Sequence, residues 1–310
     1  IEVPANWQSK RTFLVIGASD WKTDVFLDGQ KIGTHEGGYT PFSFDLTKFL
    51  KAGQKQVLNI RVDDKRRMFT LYGKQGYGNA RGIWQTIYME SRGDQYVDYA
   101  QVSPDIDQST AKFQIELGSP VKQNTPIKVL LATGISGTKM VAAGSKTAQI
   151  EIKIPNAHLW SLEDPFLYTY QIQVGEGTQS DEVKGYFGMR KISVMNLPGS
   201  AIPYIALNNK PIYLQLALDQ SYHPEGFYTF PTDDFMREEI MRSKRIGLNG
   251  IRTHVKIEVP RKLYWADKLG LLVMADVPNS WGPPDADMRK ETEYTLEQMV
   301  HRDFNHPSIF

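Results

Sequence analysis

Along residues 1–93, apolar and polar positions alternate in short runs separated by turn signals. Thr12 to Ile16 reads as a strand. Val25-Phe26-Leu27 and Gln30-Lys31-Ile32 flank Asp28-Gly29, a dipeptide suited to a tight two-residue hairpin. Phe42-Ser43-Phe44 alternates, as does Val57 to Val62, and Ile83 to Met89 supplies a last strand. A helical period is weak throughout, so this stretch predicts an all-β unit, most simply a sandwich. Residues 94–194 continue with a different texture: Lys112 to Leu117, Ile127 to Leu131, Gln149 to Ile154 and the strongly alternating Leu167 to Val174 lie between Gly- and Ser-containing breaks. About seven short strands in roughly 100 residues predict an immunoglobulin-like sandwich.

The period changes near residue 195. Ile212 to Leu218 is a nearly continuous apolar strand. Thr232 is placed to cap a helix that has Asp233 and Asp234 in its first turn, Arg242, Lys244 and Arg245 near its end, and Gly247 as its stop. A second strand begins at Gly250-Ile251-Arg252, a second helix at Pro260, and a third strand runs from Leu271 to Ala275. A third helix carries Leu296, Met299, Val300 and Phe304, and Ser308-Ile309-Phe310 reads as the start of a fourth strand. Apolar strands alternating with helices predict a parallel sheet covered on both faces.

Composition narrows the possibilities only at the margins. At roughly 100–200 residues per domain, 310 residues suggest two or three domains. Net charge is 36 − 35 = +1, which gives no global pull toward nucleic acid or an anionic membrane. No apolar run is long enough for a spanning helix. Zero cysteines exclude disulfides and thiolate metal sites, and the six histidines show no His-x-x-x-His spacing, so neither a metal nor a cofactor is expected. Export to a periplasmic or extracellular setting stays compatible with this composition.

Local motifs then point to a family. The run from Asp28 to Phe42, DGQKIGTHEGGYTPF, resembles the hairpin of the sugar-binding domain in family 2 glycoside hydrolases. Gly76 to Gln85, GYGNARGIWQ, resembles the segment that closes that domain, and Leu159 to Tyr168, LWSLEDPFLY, the end of the family's immunoglobulin-like domain. Gly188 to Ile192 and Leu207 to Ile212 are similar to its junction into a (β/α)8 (TIM) barrel. LNGIRTH at 248–254 resembles the family's Asn-x-x-Arg-x-x-His element with one residue fewer between Arg and His; LYWADKLGLLV at 263–273 and NHPSI at 305–309 also match. The resemblance covers essentially the whole chain. It implies a partial jelly-roll-like sugar-binding domain over 1–93, an immunoglobulin-like sandwich over 94–194, and the first three βα units of the catalytic barrel over 195–310.

The resemblance also implies a retaining exo-β-glycosidase. Such enzymes set two carboxyl groups roughly 5–5.5 Å apart, one acid/base and one nucleophile. In the family the acid/base glutamate follows an Asn-Glu pair a few residues after the His-Pro-Ser-Ile element, and the nucleophile lies further on. Both are therefore expected beyond Phe310, so no catalytic residue is assigned. The chain reads as an internal piece of a longer protein, inactive by itself. A β-galactoside is the first expectation for substrate, with β-glucuronide and β-mannoside open, and the longer protein could form oligomers. The competing reading is a non-catalytic, adhesin-like assembly of carbohydrate-binding sandwiches. It is disfavoured by the βα repeat with polar residues at its strand ends.

Barrel active sites form at the C-terminal ends of strands. That position singles out Asp219, Arg252 and His254, with Asp276, Pro278, Asn279 and Trp281 after the third strand. Asp219, Arg252 and His254 are expected side by side, holding sugar hydroxyls, and Trp281 is expected to stack on a sugar face. Each has a plainer reading: a turn-capping carboxylate, an ion-pair partner, a satisfied histidine, a tryptophan covering the sheet end. For Trp84, Trp160 and Trp265 a core role is the simpler one, Asn79 and Arg81 sit in a loop beside a core strand, and Glu225, between Pro224 and Gly226, is a turn residue.

Overall fold

A computed structural model describes residues 1–7, 9–51, 53–64, 71, 80–177, 180–279, 283 and 285–310. Asn79 and Trp281 lie outside them. The first β region holds β1 (Arg11–Ile16), β2 (Ser19–Asp20), β3 (Lys22–Leu27), β4 (Gln30–Glu36), β5 (Phe42–Asp45), β6 (Leu58–Asp63), β7 (Gly82–Ile83) and β8 (Ile87–Arg92). They pair as β5-β1-β8 and β4-β3-β6, with β2 on β7. Leu14, Ile16 and Val25 meet between the two three-stranded sheets with Phe42, Leu58 and Ile87 against them. The Asp28-Gly29 hairpin forms as expected. Both residues take positive φ, 49° and 81°, the conformation a two-residue turn of this hand demands. The expected strand from Ile83 to Met89 is instead two strands, broken at Trp84–Thr86. Trp84 turns inward there and donates its indole N–H to the Gly38 carbonyl at 2.7 Å.

The second β region holds β9 (Val97–Asp105), β10 (Thr110–Leu117), β11 (Thr125–Leu131), β12 (Ser136–Val141), β13 (Thr147–Lys153), β14 (Tyr168–Val174) and β15 (Asp181–Phe187). Seven antiparallel strands form a three-stranded sheet, β13-β10-β9, facing a four-stranded one, β12-β11-β14-β15. The burial of β13 and β14 alternates residue by residue, as a sheet with one wet face requires. Phe113, Ile127, Ile172 and Phe187 lie in the single core between the sheets.

A three-stranded antiparallel ribbon that the sequence pattern did not reveal follows: β16 (Ile192–Asn196), β17 (Pro203–Leu207) and β18 (Lys210–Pro211). Next come β19 (Leu216–Asp219), α1 (Asp233–Arg245), β20 (Gly250–Thr253), α2 (Pro260–Leu269), β21 (Leu272–Ala275) and α3 (Ala286–Asp303). β19 begins at Leu216 rather than at the expected Ile212, which joins the ribbon instead, its N–H donating to Ile205 O at 2.8 Å. β19, β20 and β21 are parallel and adjacent. Ile309 makes a parallel bridge to Val273, and Val273 N donates to Ser308 O at 2.8 Å, so the last residues begin to line up beside β21. The helix ends follow the sequence signals. Thr232 Oγ1 accepts from Phe235 N at 3.0 Å, Asp285 Oδ1 accepts from Met288 N at 2.7 Å, and Gly270 ends α2 at φ 73°.

The third region is fastened to both β regions. Tyr39 and Trp84 share a core with Tyr228, Ile257 and Met299. On the other side, Trp160 Nε1 donates to the Asp267 carbonyl at 2.7 Å. The Asp267 carboxylate receives the Tyr186 hydroxyl at 2.8 Å and contacts His306 Nδ1 at 2.5 Å. Burial alone lowers the His306 pKa, but Asp267 outweighs it and holds the imidazole above its usual value.

Candidate functional site

The register of the parallel sheet decides what the strand ends can do. Leu218 is paired with Arg252 and Met274, and Asp219 with Thr253 and Ala275. Side chains alternate between faces along a strand, so Leu218, Arg252 and Met274 share one face and Asp219, Thr253 and Ala275 the other. Ile251 and Val273 pack with Ile240 of α1 and Leu263 and Ala266 of α2, which identifies the helix side. Asp219 therefore faces the helices, and Arg252 faces away from them. The expectation that Asp219 and Arg252 would stand side by side is corrected here. Because Asp219 pairs with Thr253 and Leu218 with Arg252, the two candidates lie one position apart along the strands and on opposite faces.

On the open face, Arg252 forms a two-pronged pair with Asp276: Nε to Oδ1 at 3.0 Å and Nη2 to Oδ2 at 2.9 Å. Burial raises the Asp276 pKa, but the fork and the Val255 N–H at 3.1 Å outweigh it, so the carboxyl stays below its ordinary range. Arg252 remains largely exposed and keeps donors for another acceptor. His254 follows at the same end. Its backbone N–H donates to Asp219 O at 2.9 Å, and Nδ1 lies 3.3 Å from Gln220 Oε1. Arg252 and His254 thus stand at one strand end, but their side chains meet Asp276 and Gln220 rather than the Asp219 carboxylate.

Behind the sheet lies a group that sequence reasoning missed. Lys256, Glu258 and Lys262 are almost completely buried. Lys262 Nζ contacts Asp219 Oδ2 at 2.6 Å, Glu239 Oε2 at 3.1 Å and Glu258 Oε2 at 3.5 Å. Lys256 Nζ donates to Ser221 O at 2.8 Å, Ser221 Oγ at 3.2 Å and Tyr228 O at 3.2 Å, and lies 3.4 Å from Glu258 Oε1. The Ser221 hydroxyl donates to Glu258, and Val259 N donates to it at 2.8 Å. Burial opposes the Glu258 charge, yet Lys256 and Lys262 overwhelm that penalty and bring its pKa to about 2. Burial also pushes the Lys256 ammonium down and the Glu239 carboxyl up. Lys262, facing three carboxylates, stays protonated well above its usual range despite burial. A permanently ionised, fully paired Glu258 is the opposite of a general acid, which needs a raised pKa. The network is a fastening. One ammonium in the first turn of α2 holds the end of β19, the side of α1 and the loop after β20. The weak signal for it is the spacing of Glu258 and Lys262, four residues apart across the helix start at Pro260.

Comparison with known proteins decides the family. The model of "Glycosyl hydrolases family 2, sugar binding domain" matches residues 1–87, and that of "Glycosyl hydrolases family 2" matches residues 95–190. The chain belongs to glycosyl hydrolase family 2. Among curated relatives, a β-galactosidase of Thermoanaerobacter pseudethanolicus is 23% identical over all of this chain and 42% of its own length. A putative β-glucuronidase of Formosa agariphila is 26% identical over 93% of this chain and 35% of its own. The family 2 chain thus spans well under half of either relative. Among solved structures, the β-glucuronidase of Parabacteroides merdae superposes over the whole chain at TM-score 0.84 with 22% identity, covering 41% of that protein. The β-glucuronidase of Ruminococcus gnavus in complex with D-glucuronic acid does so at TM-score 0.82 with 22% identity, covering 55%. At that identity the structures establish the fold.

The remaining candidates resolve simply. Trp160 is fully buried and Trp84 nearly so, and Trp265 is half-buried with Nε1 donating to Asp233 Oδ1 at 2.8 Å. Arg81 pairs with Asp64 at 3.0 Å. Glu225 lies in a turn closed by His223 and Phe227, its N–H 3.2 Å from His223 Nδ1. Trp281 belongs to the residues outside the description. Among the described residues no cluster of His, Asp and Glu is arranged to hold a metal ion, and no helix is long and apolar enough to cross a membrane.

Proposed function

We propose that this chain is part of a retaining exo-β-glycosidase that acts on β-galactoside-like substrates. In this reading residues 1–93 are the sugar-binding sandwich, 94–194 the immunoglobulin-like sandwich and 195–310 the opening βα units of the catalytic (β/α)8 barrel. One observation carries it: two β regions of the family precede three adjacent parallel strands, at whose C-terminal end an exposed Arg252 and a half-buried His254 stand with partners already orienting them. The Arg252 donors that Asp276 leaves over and the His254 ring hold hydroxyls of the terminal sugar. Asp219 acts at one remove, since Lys262 and the Ser221 N–H at 2.7 Å occupy its two oxygens. The acid/base and nucleophile glutamates stand outside these 310 residues.

The test uses the gene product extended past Phe310, with nitrophenyl β-galactoside, β-glucuronide and β-mannoside. The galactoside should show the highest kcat/KM, with the first-formed sugar retaining the β configuration by NMR. Faster turnover of glucuronide or mannoside replaces the substrate, inversion replaces the mechanism, and no turnover of any of the three overturns the hydrolase reading. The 310-residue chain alone should release no nitrophenol above a heat-killed control.

A further inference from the structure

The segment that follows α3 is held from outside its own region. Asn305 lies against β9, an edge strand of its sheet, and its carboxamide makes the two bonds a neighbouring strand would make. Oδ1 accepts from Val102 N at 2.8 Å, and Nδ2 donates to Ala100 O at 2.7 Å. His306 Nδ1 lies 3.2 Å from the Tyr186 hydroxyl. Pro307 is pressed against Gly188, where an added Cβ would sit 2.7 Å from Pro307 Cβ and 2.9 Å from Trp160 Cβ, so no larger residue fits without moving one of them. Arg190 Nη2 donates to the Ile309 carbonyl at 2.7 Å. Every one of these partners belongs to the second β region: β9, the end of β15 and the residues just past it.

The run is completed by Ser308, whose N–H donates to Asp267 Oδ1 at 3.0 Å. It leads directly into the parallel sheet. Val273 N donates to Ser308 O at 2.8 Å, and Phe310 N donates to Val273 O at 3.2 Å. The bridge between Val273 and Ile309 is parallel, so the chain here runs beside β21 in the same direction. Asp276, the partner of Arg252, comes three residues after Val273. A strand continuing from Phe310 therefore arrives beside Asp276 three residues after Ile309. Adjacent strands lie about 4.8 Å apart, and barrel active sites are built at strand ends. Where the start of this strand is held fixes where its end arrives. The bonds of Trp160 and Tyr186 to Asp267 already fasten the second β region to α2. Asn305 and Arg190 add a grip on the incoming strand itself.

We propose that Asn305 and Arg190 are positioning residues: through them the second β region sets the start of the fourth strand and, with it, the strand end that completes the rim beside Arg252 and His254. The proposal rests on the hydrolase reading given above, in which the chain continues past Phe310. Placement of this kind matters to rate, since a shift of about 1 Å at a reacting group can cost on the order of 100-fold.

The test uses the extended gene product, with the fastest of the three nitrophenyl glycosides and with hydrogen exchange. Arg190→Ala and Asn305→Ala should each lower kcat at least tenfold while KM stays within about threefold, because the sugar-holding side chains are untouched. Arg190→Lys, which restores a donor, should recover most of the lost kcat. The Val273 and Phe310 amides should exchange at least tenfold faster in both alanine variants, with those of β20 unchanged. Gly188→Ala removes no donor but drives a methyl group into Pro307, and it should reproduce the same pattern. Four results would each overturn the assignment: kcat within about twofold of the parent, KM rising as much as kcat falls, no recovery with lysine, or exchange quickening equally in β20. If the parent turns over none of the glycosides, the hydrolase reading falls and exchange alone decides. Quickening confined to Val273 and Phe310 then upholds the grip on the strand, and its absence overturns it.

Discussion

Glu258→Gln removes one negative charge from the buried network while keeping its volume. Lys262 would still have Asp219 at 2.6 Å and Glu239 at 3.1 Å, but Lys256 would keep only neutral acceptors, two on Ser221 and the Tyr228 carbonyl. Two routes give the cost. Breaking one partner from a buried ion pair destabilises by roughly 3–5 kcal/mol. Independently, the Glu258 pKa falls from 4.5 to about 2. At ~1.4 kcal/mol per tenfold, that favours the ionised form in the folded chain by about 3 kcal/mol. The sign follows from the direction. The contribution is complete above pH 4.5 and is lost as pH falls from 4.5 toward 2. The gap between parent and variant should be about 3 kcal/mol at pH 7 and about 2 kcal/mol at pH 3.5. Because a chain of several units has no single unfolding free energy, the assay is urea unfolding read by pulsed hydrogen exchange on peptides covering 250–262. A gap under about 1 kcal/mol, or one that does not narrow with acid, would refute the claim that Glu258 is ionised and pinned by the two lysines.

Other expectations follow from single contacts. Gly29→Ala meets no atom but must hold φ 81°, so it should cost about 1–2 kcal/mol in the first β region, seen as an earlier melt. Thr232→Ala removes the α1 cap and should cost about 1 kcal/mol by urea titration, with Thr232→Ser recovering most of it. Asp267 raises the His306 pKa, so the stability that pair adds is fully present below 6.5 and is lost as pH rises through the folded value. Protection of the 300–310 amides should decline with rising pH in the parent and lose that dependence in Asp267→Asn. In the extended protein, Arg252→Ala should lower kcat/KM at least tenfold, about 1.4 kcal/mol, with the melting temperature nearly unchanged; a lowered melting temperature with kcat/KM spared would make the Asp276 pair structural.

What could be read from the sequence depended on how local the determinant was. The Asp28-Gly29 turn, the Thr232 cap and the Gly247 stop need only their neighbours, and each stands where the pattern put it. Trp84 interrupts an apparently continuous strand because it is drawn inward to Gly38, 46 residues away, and Ile212 leaves the expected strand because its N–H bonds the Ile205 carbonyl of the ribbon. The failure at Asp219 has the same origin. Strand-end position was legible, but the register between β19 and β20 is fixed by packing across a helix. A one-residue offset exchanges faces while leaving the hydrophobic pattern untouched. Lys256 and Lys262 carry the composition of surface residues, and only the carboxylates gathered from α1, β19 and the loop after β20 make their burial tolerable.

The two sides of the sheet end are linked through that offset. Asp219 cannot present its carboxylate to the open face, but its backbone carbonyl takes the His254 N–H, and its carboxylate is held by Lys262 and the Ser221 N–H. On the neighbouring strand, Arg252 is aimed by Asp276, which also receives the N–H of Val255. Arg252 and His254 at the rim therefore each rest on a partner one strand away, and the buried ammonium of Lys262 sets the first of those strands against both helices. Directed recognition of hydroxyls requires donors whose rotamers are fixed before the ligand arrives, because ordering them on binding would consume the affinity they supply. A charged network placed behind an apolar sheet, with its acids and bases matched three to two, meets that requirement. A fully apolar core of the same volume could be as stable, but it would leave Asp219 and the loops after β19 and β20 without a defined position.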